Sequence, residues 1–294
     1  MRILVTGGSG FIGQALTKAL TERGDQVVIL SRTPARVPAR KGLLVVDRLS
    51  AVKGRLDAVV NLAGAPIVDK RWTDARKQLL RSSRIDLTRQ LVEWVSSLDT
   101  PPHTLISGSA IGYYGSHQDE VLDESADPSA GFPHELCRTW EQAAMAAESS
   151  TTRVCLVRTG VVLGPGGGAL SKMLPPFKLG LGGPIGDGQQ WMSWIHLDDE
   201  VGAILYLLDN PSLRGPFNLT APEPVTNEVF SKTLGQVVKR PAVFRMPAFV
   251  MQLMLGEASE LLVEGQRVVP KHLNSAGYTF KYTSLEAALK ASIQ

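Results

Sequence analysis

RILVTGGSGFIG, residues 2–13, carries the strongest structural signal in this chain of 294 residues. The run RILVT has the apolar, β-branched composition of a buried strand, and glycines at positions 7, 10 and 13 follow it directly. A helical pattern then begins at Phe11, with apolar residues at intervals of three and four. Glycines in this spacing between a strand and a helix are typical of a dinucleotide-binding turn.

The three glycines have separate roles in such a turn. Gly7 permits the tight turn, Gly10 lets the backbone approach a pyrophosphate, and Gly13 allows the helix to pack closely on the strand. The pyrophosphate would accept hydrogen bonds from free N–H groups at the positive end of the helix. The alternative is a turn that serves packing alone. The strand-and-helix context favours a dinucleotide site.

Strands and helices alternate outward from this turn. Such alternation predicts an α/β fold, a Rossmann-type doubly wound parallel sheet with right-handed crossovers. Short apolar runs predict strands at 2–6, 26–30, 43–46, 58–62, 104–107 and 153–158, and helical patterns lie at 11–23, 80–98 and 132–148.

The composition of the chain changes after residue 160. The Gly- and Pro-rich segment that follows is not expected to form long regular structure. We expect a smaller C-terminal α+β substrate lobe, with a cleft between it and the sheet. The expected division is a Rossmann domain at 1–160, completed by roughly 194–220, and a substrate lobe with a covering loop at 161–193 and 221–294, including a helix at 226–239 and a short strand at 243–246.

Composition and charge exclude several classes of protein. Thirty-one Lys and Arg against 28 Asp and Glu leave a net charge of +3, too small for an electrostatic nucleic-acid binder. No apolar run approaches the ~20 residues of a membrane span, and the start of the chain lacks a signal-peptide pattern. Two cysteines make neither a disulfide framework nor a zinc site. We expect a reduced, cytoplasmic protein with no metal and no nucleic-acid or membrane partner.

The residues after the second strand indicate which dinucleotide binds. Ser31 and Arg32 stand where NAD-preferring folds usually carry Asp or Glu for the ribose 2′-hydroxyl. A hydroxyl and a guanidinium suit the 2′-phosphate of NADP instead, and Arg36 is an equally good phosphate partner. The alternative is that Arg32 is a solvated loop residue. We predict NADP(H).

The glycine turn and the sequence NLAGA at 61–65 resemble the extended short-chain dehydrogenase/reductases. A narrower resemblance, to the epimerase-like family of atypical members, extends from residue 1 to the C-terminus. Its motifs are SAIGYYG at 109–115, WE at 140–141, RTGVVL at 158–163, MLPPF at 173–177, WIHLDD at 194–199 and GQR at 265–267.

The resemblance implies a set of cofactor contacts. They are Gly7, Gly10, Phe11, Ile12 and Gly13 at the pyrophosphate, Ser31 and Arg32 at the 2′-phosphate, Leu62, Ala63 and Gly64 at the ribose and adenine, Ser83 and Arg84 at the cofactor cleft, and the backbone after Arg158 at the nicotinamide.

The superfamily usually works through Tyr-x-x-x-Lys on a helix, whose ammonium lowers the pKa of the phenol, and a Ser that orients the substrate oxygen. None of the five tyrosines here has Lys four residues later, and no Lys lies between Lys77 and Lys172. Counting back from WE at 140–141 places Pro133 and Cys137 at the two positions. The pair is therefore absent from this chain.

Substitute catalytic residues are Ser109, in the position of the superfamily's serine, and Tyr113, which offers a phenol. Each has a structural alternative, a strand-end hydrogen bond for Ser109 and a cleft wall for Tyr113. Tyr114, His134 and Cys137 are weaker candidates, and the motif at 194–199 is predicted to dock the returning strand and helix. The Gly-rich segment ending at Gln190 and Trp191 resembles a substrate-covering loop.

The cofactor turn and the missing catalytic pair are consistent with two functions. The first is an NADP(H)-dependent oxidoreductase or epimerase acting on an unknown small polar substrate, such as a nucleotide-linked sugar, with unusual proton transfer. The alternative is a non-catalytic NADP(H)-binding sensor or regulator, which the loss of both Tyr and Lys supports. The superfamily as a whole favours the enzyme. Many relatives pair through the catalytic helix, so a homodimer stays open.

Overall fold

The computed structural model describes residues 1–293, with the exception of the side chain of Arg36. Its strands are β1 (Arg2–Thr6), β2 (Gln26–Leu30), β3 (Leu43–Val46), β4 (Ala58–Asn61), β5 (Thr104–Ala110), β6 (Val121–Leu122), β7 (Arg153–Thr159), β8 (Val161–Leu163), β9 (Trp191–Met192), β10 (Trp194–His196), β11 (Gly215–Leu219), β12 (Val225–Thr226) and β13 (Arg267–Val268). Its helices are α1 (Phe11–Glu22), α2 (Asp74–Arg81), α3 (Leu87–Ser96), α4 (Phe132–Met145), α5 (Gly168–Lys178), α6 (Leu197–Asp209), α7 (Asn227–Val238), α8 (Ala248–Leu255), α9 (Glu260–Val263), α10 (Lys271–Ser275) and α11 (Leu285–Ile293).

Seven parallel strands form the central sheet, in the order β11-β7-β5-β4-β1-β2-β3. The order reverses at β1, so the carboxyl ends of β1 and β4 border a crevice at the edge where ligands bind in such folds. This arrangement confirms the predicted doubly wound α/β fold. The glycine turn lies at that crevice because it follows β1 directly.

β1 shows how the sheet is covered on both faces. Ile3 and Val5 pack against residues of α1 and α6, and Leu4 packs on the opposite face against α3 and the C-terminal end of α4. All three side chains are completely buried, and each such burial contributes about 1.5–3 kcal/mol. The alternation of side chains along the strand therefore builds the two helical layers.

The long helix between β4 and β5 differs from the prediction. It begins at Asp74 rather than residue 80, because Thr73 accepts a hydrogen bond from the N–H of Arg76 and caps it. A wider π-helical turn at Ser82–Asp86 separates α2 from α3. Such turns are frequent at functional sites, and this one presents Arg84 toward the β4 loop.

The prediction of no long regular structure after residue 160 is wrong for α5. This helix has 11 residues although it contains Pro175 and Pro176, each of which removes a backbone donor. Leu170 and Phe177 of α5 are buried in a third apolar cluster with residues of α7 and α11, and this packing offsets the lost hydrogen bonds. The boundaries drawn from the sequence for the two lobes stay a prediction.

The short strand predicted at 243–246 is absent, and this segment makes a single bridge, between Ile185 and Met246. Within residues 1–293, no helix combines the length and apolar character that crossing a membrane requires.

Candidate cofactor and active site

The glycine turn has the geometry that its sequence predicts. Gly7 has φ +70°, and a Cβ there would lie 2.7 Å from the backbone carbonyl carbon of Leu62. A Cβ on Gly13 would lie 2.1 Å from the Gly7 carbonyl oxygen, so α1 packs on the turn at a distance that only glycine allows. Gly10, by contrast, has one near neighbour, the Gly7 oxygen at 3.2 Å from its added Cβ.

The start of α1 has the features of an anion site. Gly10 is its N-cap, no side chain caps it, and its first turn holds no acidic residue. Its first N–H groups are therefore available to an anion, and an added side chain at 7 or 13 would destroy the turn that presents them. These features fit a pyrophosphate. Phe11 packs against Gly167 and Gly168 of the second lobe, and Ile12 packs on the sheet core.

A cavity of about 330 Å³ adjoins the turn on the side of β2 and β3. Ser9, Thr33 and Arg40 line it, together with the backbone of Gly8. These hydroxyls and the guanidinium suit a phosphate. Ser31 is buried, and its hydroxyl accepts a hydrogen bond from the N–H of Thr33.

Arg32 is exposed at the end of β2. The side chain of Arg36, the other candidate phosphate partner, lies outside the described residues. The placement of a 2′-phosphate at Ser31 and Arg32 stays a prediction.

The loop after β4 is held by Thr6 of β1 and by the π-helical turn. Leu62 donates its N–H to the Thr6 carbonyl, and Ala63 donates to the Thr6 hydroxyl. The Arg84 guanidinium lies 3.0 Å from the Cβ position of Gly64 and donates to the Ala65 carbonyl. Burial lowers the pKa of this guanidinium. Arg84 thus shapes the loop expected to border the ribose.

Ser109 lies at the carboxyl end of β5, but its hydroxyl is directed into the protein. It donates to Glu141 Oε1 at 2.6 Å, and the Arg158 guanidinium binds both oxygens of the same carboxylate at 2.8 and 2.9 Å. All three residues are buried. An ionised carboxylate has no proton to give, so Ser109 must be the donor in this bond. The next residue, Ala110, is partly exposed and has no hydroxyl.

The two tyrosines after β5 have different surroundings. Tyr114 is completely buried, and its hydroxyl lies 3.0 Å from Arg158 Nη1 and 2.7 Å from Asn218 Oδ1. Burial raises its pKa to about 12, in opposition to the nearby Arg158. Tyr113 is partly exposed, with its ring 3.4 Å from the centre of the Arg158 guanidinium. His134 Nδ1 binds the Tyr113 carbonyl, so that nitrogen carries a proton.

The positions of the missing catalytic pair hold no group that exchanges a proton near neutral pH. Pro133 is buried in the first turn of α4, beside Gly112. Cys137 is buried one turn later, and burial, followed by the Glu141 carboxylate, raises the pKa of its thiol to about 12. A thiol in this state is not a nucleophile.

Sequence reasoning missed Glu200, which lies next to the carboxyl end of β7. Its side chain is fully buried, and Oε1 accepts a hydrogen bond of 2.8 Å from the Thr159 hydroxyl. Oε2 has no partner among the described residues, and burial raises the pKa of the carboxyl to about 8. The signal was hidden because Glu200 follows Asp198 and Asp199 in an acidic run, and Asp199 binds the backbone of the C-terminal segment.

The segment predicted to cover the substrate is tied down at its end. The Trp191 indole donates to Asp119 Oδ1 at 2.9 Å, and the Arg267 guanidinium lies 4.3 Å from its ring. Gln190 donates to the Leu262 carbonyl. Within the described residues, no group of three or more His, Cys, Asp or Glu side chains is arranged for a metal ion.

Comparison with known proteins gives matches over the whole chain. A model of the NAD dependent epimerase/dehydratase family matches residues 3–219, and a domain of unknown function, DUF1731, matches residues 246–292. The epimerase family protein Mb2239 of Mycobacterium bovis is 43% identical over 98% of this chain and 96% of its own length. The epimerase family protein SDR39U1 of Bos taurus is 40% identical, with full coverage of both chains.

A solved structure resembles this one closely. It is the crystal structure of human epimerase family protein SDR39U1 (isoform 2) with NADPH, with a TM-score of 0.92 and 37% identity. The alignment covers 99% of each chain, so both lobes have counterparts in the human protein.

Proposed function

Because this chain belongs to the NAD dependent epimerase/dehydratase family, we propose that its glycine turn holds NADP(H) in preference to NAD(H). The chain is an atypical extended short-chain dehydrogenase/reductase with a site for a nicotinamide dinucleotide. Three observations support NADP(H): the absence of an acidic residue after β2, the exposed Arg32, and the cavity that Arg40 lines. The NADPH in the human relative supports it as well.

We further propose that the protein acts as an NADP(H)-binding regulator rather than through the superfamily's usual reaction. When bound, a nicotinamide supplies or accepts a hydride, and the partner oxygen must then gain or lose a proton. The observation that carries this proposal is the hydrogen bond from Ser109 to Glu141. This bond directs the single hydroxyl proton of Ser109 at Glu141 and away from the position of a substrate carbonyl.

The residues of α4 support the same function. Pro133 has no proton to exchange, and the pKa of the Cys137 thiol is about 12, far above neutral pH. The Arg158 guanidinium holds the Glu141 carboxylate with two hydrogen bonds, and both residues are buried. The chain therefore keeps the turn that binds a dinucleotide while its usual proton donors are replaced or engaged.

A second candidate is an NADP(H)-dependent oxidoreductase or epimerase acting on a small polar substrate. The partial exposure of Tyr113 favours it, because this phenol lies beside the carboxyl end of β5. Its hydroxyl makes no hydrogen bond to other described residues. The Arg158 cation holds the ring in place, as a substrate-positioning group requires.

One set of titrations tests both candidates. NADPH and NADH are added separately to the protein, and quenching of its five tryptophans is followed. We expect NADPH to bind at least tenfold more tightly, a difference of about 1.4 kcal/mol. Equal affinities would contradict the NADP(H) preference, and binding of neither would contradict both functions.

Single-turnover mixing then separates regulator from enzyme. NADPH-loaded protein is mixed with a panel of carbonyl compounds and nucleotide sugars, and the nicotinamide absorbance is followed. For a regulator we expect no oxidation, together with NADPH-dependent protection of β5 and α4 from hydrogen exchange. Oxidation that Tyr113→Phe abolishes, and that Tyr206→Phe retains as the matched control, would establish the enzyme.

A further inference from the structure

The second lobe exposes large apolar side chains that the core does not use. Four of them are 68–74% exposed: Leu179, Val243, Phe249 and Leu253. Isolated apolar residues on a surface are common, but a contiguous patch marks an interaction site. α8 is the extreme case, because its sequence AFVMQLML is almost wholly apolar and none of its residues is buried.

These residues lie on adjoining segments. Phe244 donates its N–H to the Gly182 carbonyl, and Arg240 donates to the Lys178 carbonyl, so the chain after α5 runs beside the chain before α8. α8 follows two residues after the bridge at Met246. We define the α8 patch as the exposed residues Leu179, Leu181, Val243, Phe244, Phe249 and Leu253.

The segments that form this patch carry positive charge. The two segments that form it, 177–186 and 238–255, contain four cationic residues and no Asp or Glu, whereas the net charge of the whole chain is only +3. Among the described residues, Lys178, Lys239 and Arg240 form no ion pair with a carboxylate. Arg245 pairs with Glu228 of α7. Exposed carboxylates, Asp187 and Glu257, follow closely after the two segments, so the positive charge is local to the patch. This charge favours a partner that is both apolar and anionic.

We propose that the α8 patch docks the protein on an anionic lipid surface. The apolar side chains would enter the boundary of the acyl chains, while the cations lie at the lipid phosphates. The exposed residues of α8 are distributed over about two thirds of its circumference at 100° per residue. A fluid layer can surround such a helix, whereas a folded partner contacts one side of it.

A second copy of the chain is a poorer partner for the same surface. Pairing two α8 patches would bring together six cationic side chains that have no carboxylate partner among the described residues. A homodimer, which the sequence leaves open, would use α4 if it paired as many relatives do, and α4 is a different surface. No membrane partner was expected from the sequence, because a patch assembled from two segments leaves no long apolar run.

Flotation with lipid vesicles tests this proposal on the full chain. The vesicles are phosphatidylcholine alone or equal parts of phosphatidylcholine and phosphatidylglycerol. We expect binding to the anionic vesicles and little to the neutral ones, with a loss of binding at high salt. Leu253→Glu should reduce the partition coefficient at least tenfold. Leu79→Glu, an exposed leucine of α2, is the matched control and should bind as the unmodified chain does.

Three results would overturn the proposal. The first is an absence of binding to anionic vesicles, and the second is binding that both leucine variants reduce equally. The third is a dimer, detected by light scattering, that Leu253→Glu converts to monomer, since the patch would then join two copies. Urea unfolding followed by tryptophan fluorescence shows whether Leu253→Glu is folded, and it keeps this test separate from the proposed cofactor function.

Discussion

Replacing Glu200 with Gln should stabilise the protein at alkaline pH. Glu200 is fully buried, and its only hydrogen-bond partner among the described residues is the Thr159 hydroxyl. Burial raises the pKa of this carboxyl from 4.5 to about 8. The folded protein therefore keeps the group neutral at a pH where the unfolded chain has released the proton.

The sign of the effect follows from the number of protons bound. Between pH 4.5 and pH 8 the folded state binds the Glu200 proton and the unfolded state does not, so the free energy of unfolding falls as the pH rises. The stability that depends on a neutral Glu200 is fully present below pH 4.5. Each pH unit in this window lowers the free energy of unfolding by about 1.4 kcal/mol. The rise from pH 5 to pH 8 therefore lowers it by about 4 kcal/mol.

Urea unfolding followed by tryptophan fluorescence measures this difference. Glu200→Gln stays neutral at every pH, so its advantage over the unmodified chain should grow by about 4 kcal/mol between pH 5 and pH 8. Glu286→Gln, on the exposed face of α11, is the matched control and should show no such growth. Parallel stability curves for Glu200→Gln and the unmodified chain would refute a neutral, buried Glu200.

Four further outcomes are expected. Arg32→Ala should weaken NADPH binding at least tenfold in fluorescence titration and leave NADH binding nearly unchanged; an equal loss for both would assign Arg32 another role. Gly13→Ala should abolish NADPH-dependent quenching, because its Cβ would lie 2.1 Å from the Gly7 oxygen; retained affinity would contradict the close packing of α1. Glu141→Ala should lower the free energy of unfolding by about 3–5 kcal/mol, since it leaves a guanidinium buried without its carboxylate. The Cys137 thiol should react with a thiol reagent near pH 8 only after unfolding, and rapid labelling of the native protein would contradict its pKa of about 12.

The sequence predicts the sheet well because the signals are local. β-branched runs encode strands, and the glycines of the first turn encode a geometry that other residues cannot adopt. Among the elements that the sequence analysis misses, two are obscured by proline. Pro216 near the start of β11 is tolerated at the edge of the sheet, and the two prolines of α5 are tolerated because its apolar face is buried.

In the candidate site, too, local features are predictable from the sequence and features that depend on distant residues are not. The cofactor turn lies within residues 7–13, so its geometry is predictable from spacing. The direction of the Ser109 side chain is not, because it depends on Glu141 of α4 and Arg158 of β7. The local sequence is the same whether a serine at a strand end faces a substrate or a carboxylate. Only the packing of α4 against β5 and β7 distinguishes the two.

The replaced pair and the Ser109 hydrogen bond have one physical consequence in common. Hydride transfer at a carbinol carbon requires a proton to enter or leave at the oxygen. In this chain Ser109 donates its hydroxyl proton in a hydrogen bond to Glu141, and the Cys137 thiol holds its own proton far above neutral pH. A binding protein needs no replacement for them, whereas an enzyme needs one, and Tyr113 is the phenol placed to serve. The Tyr113→Phe variant therefore separates the two functions: in a regulator it leaves NADPH affinity and hydrogen-exchange protection intact, and in an enzyme it removes turnover while NADPH still binds.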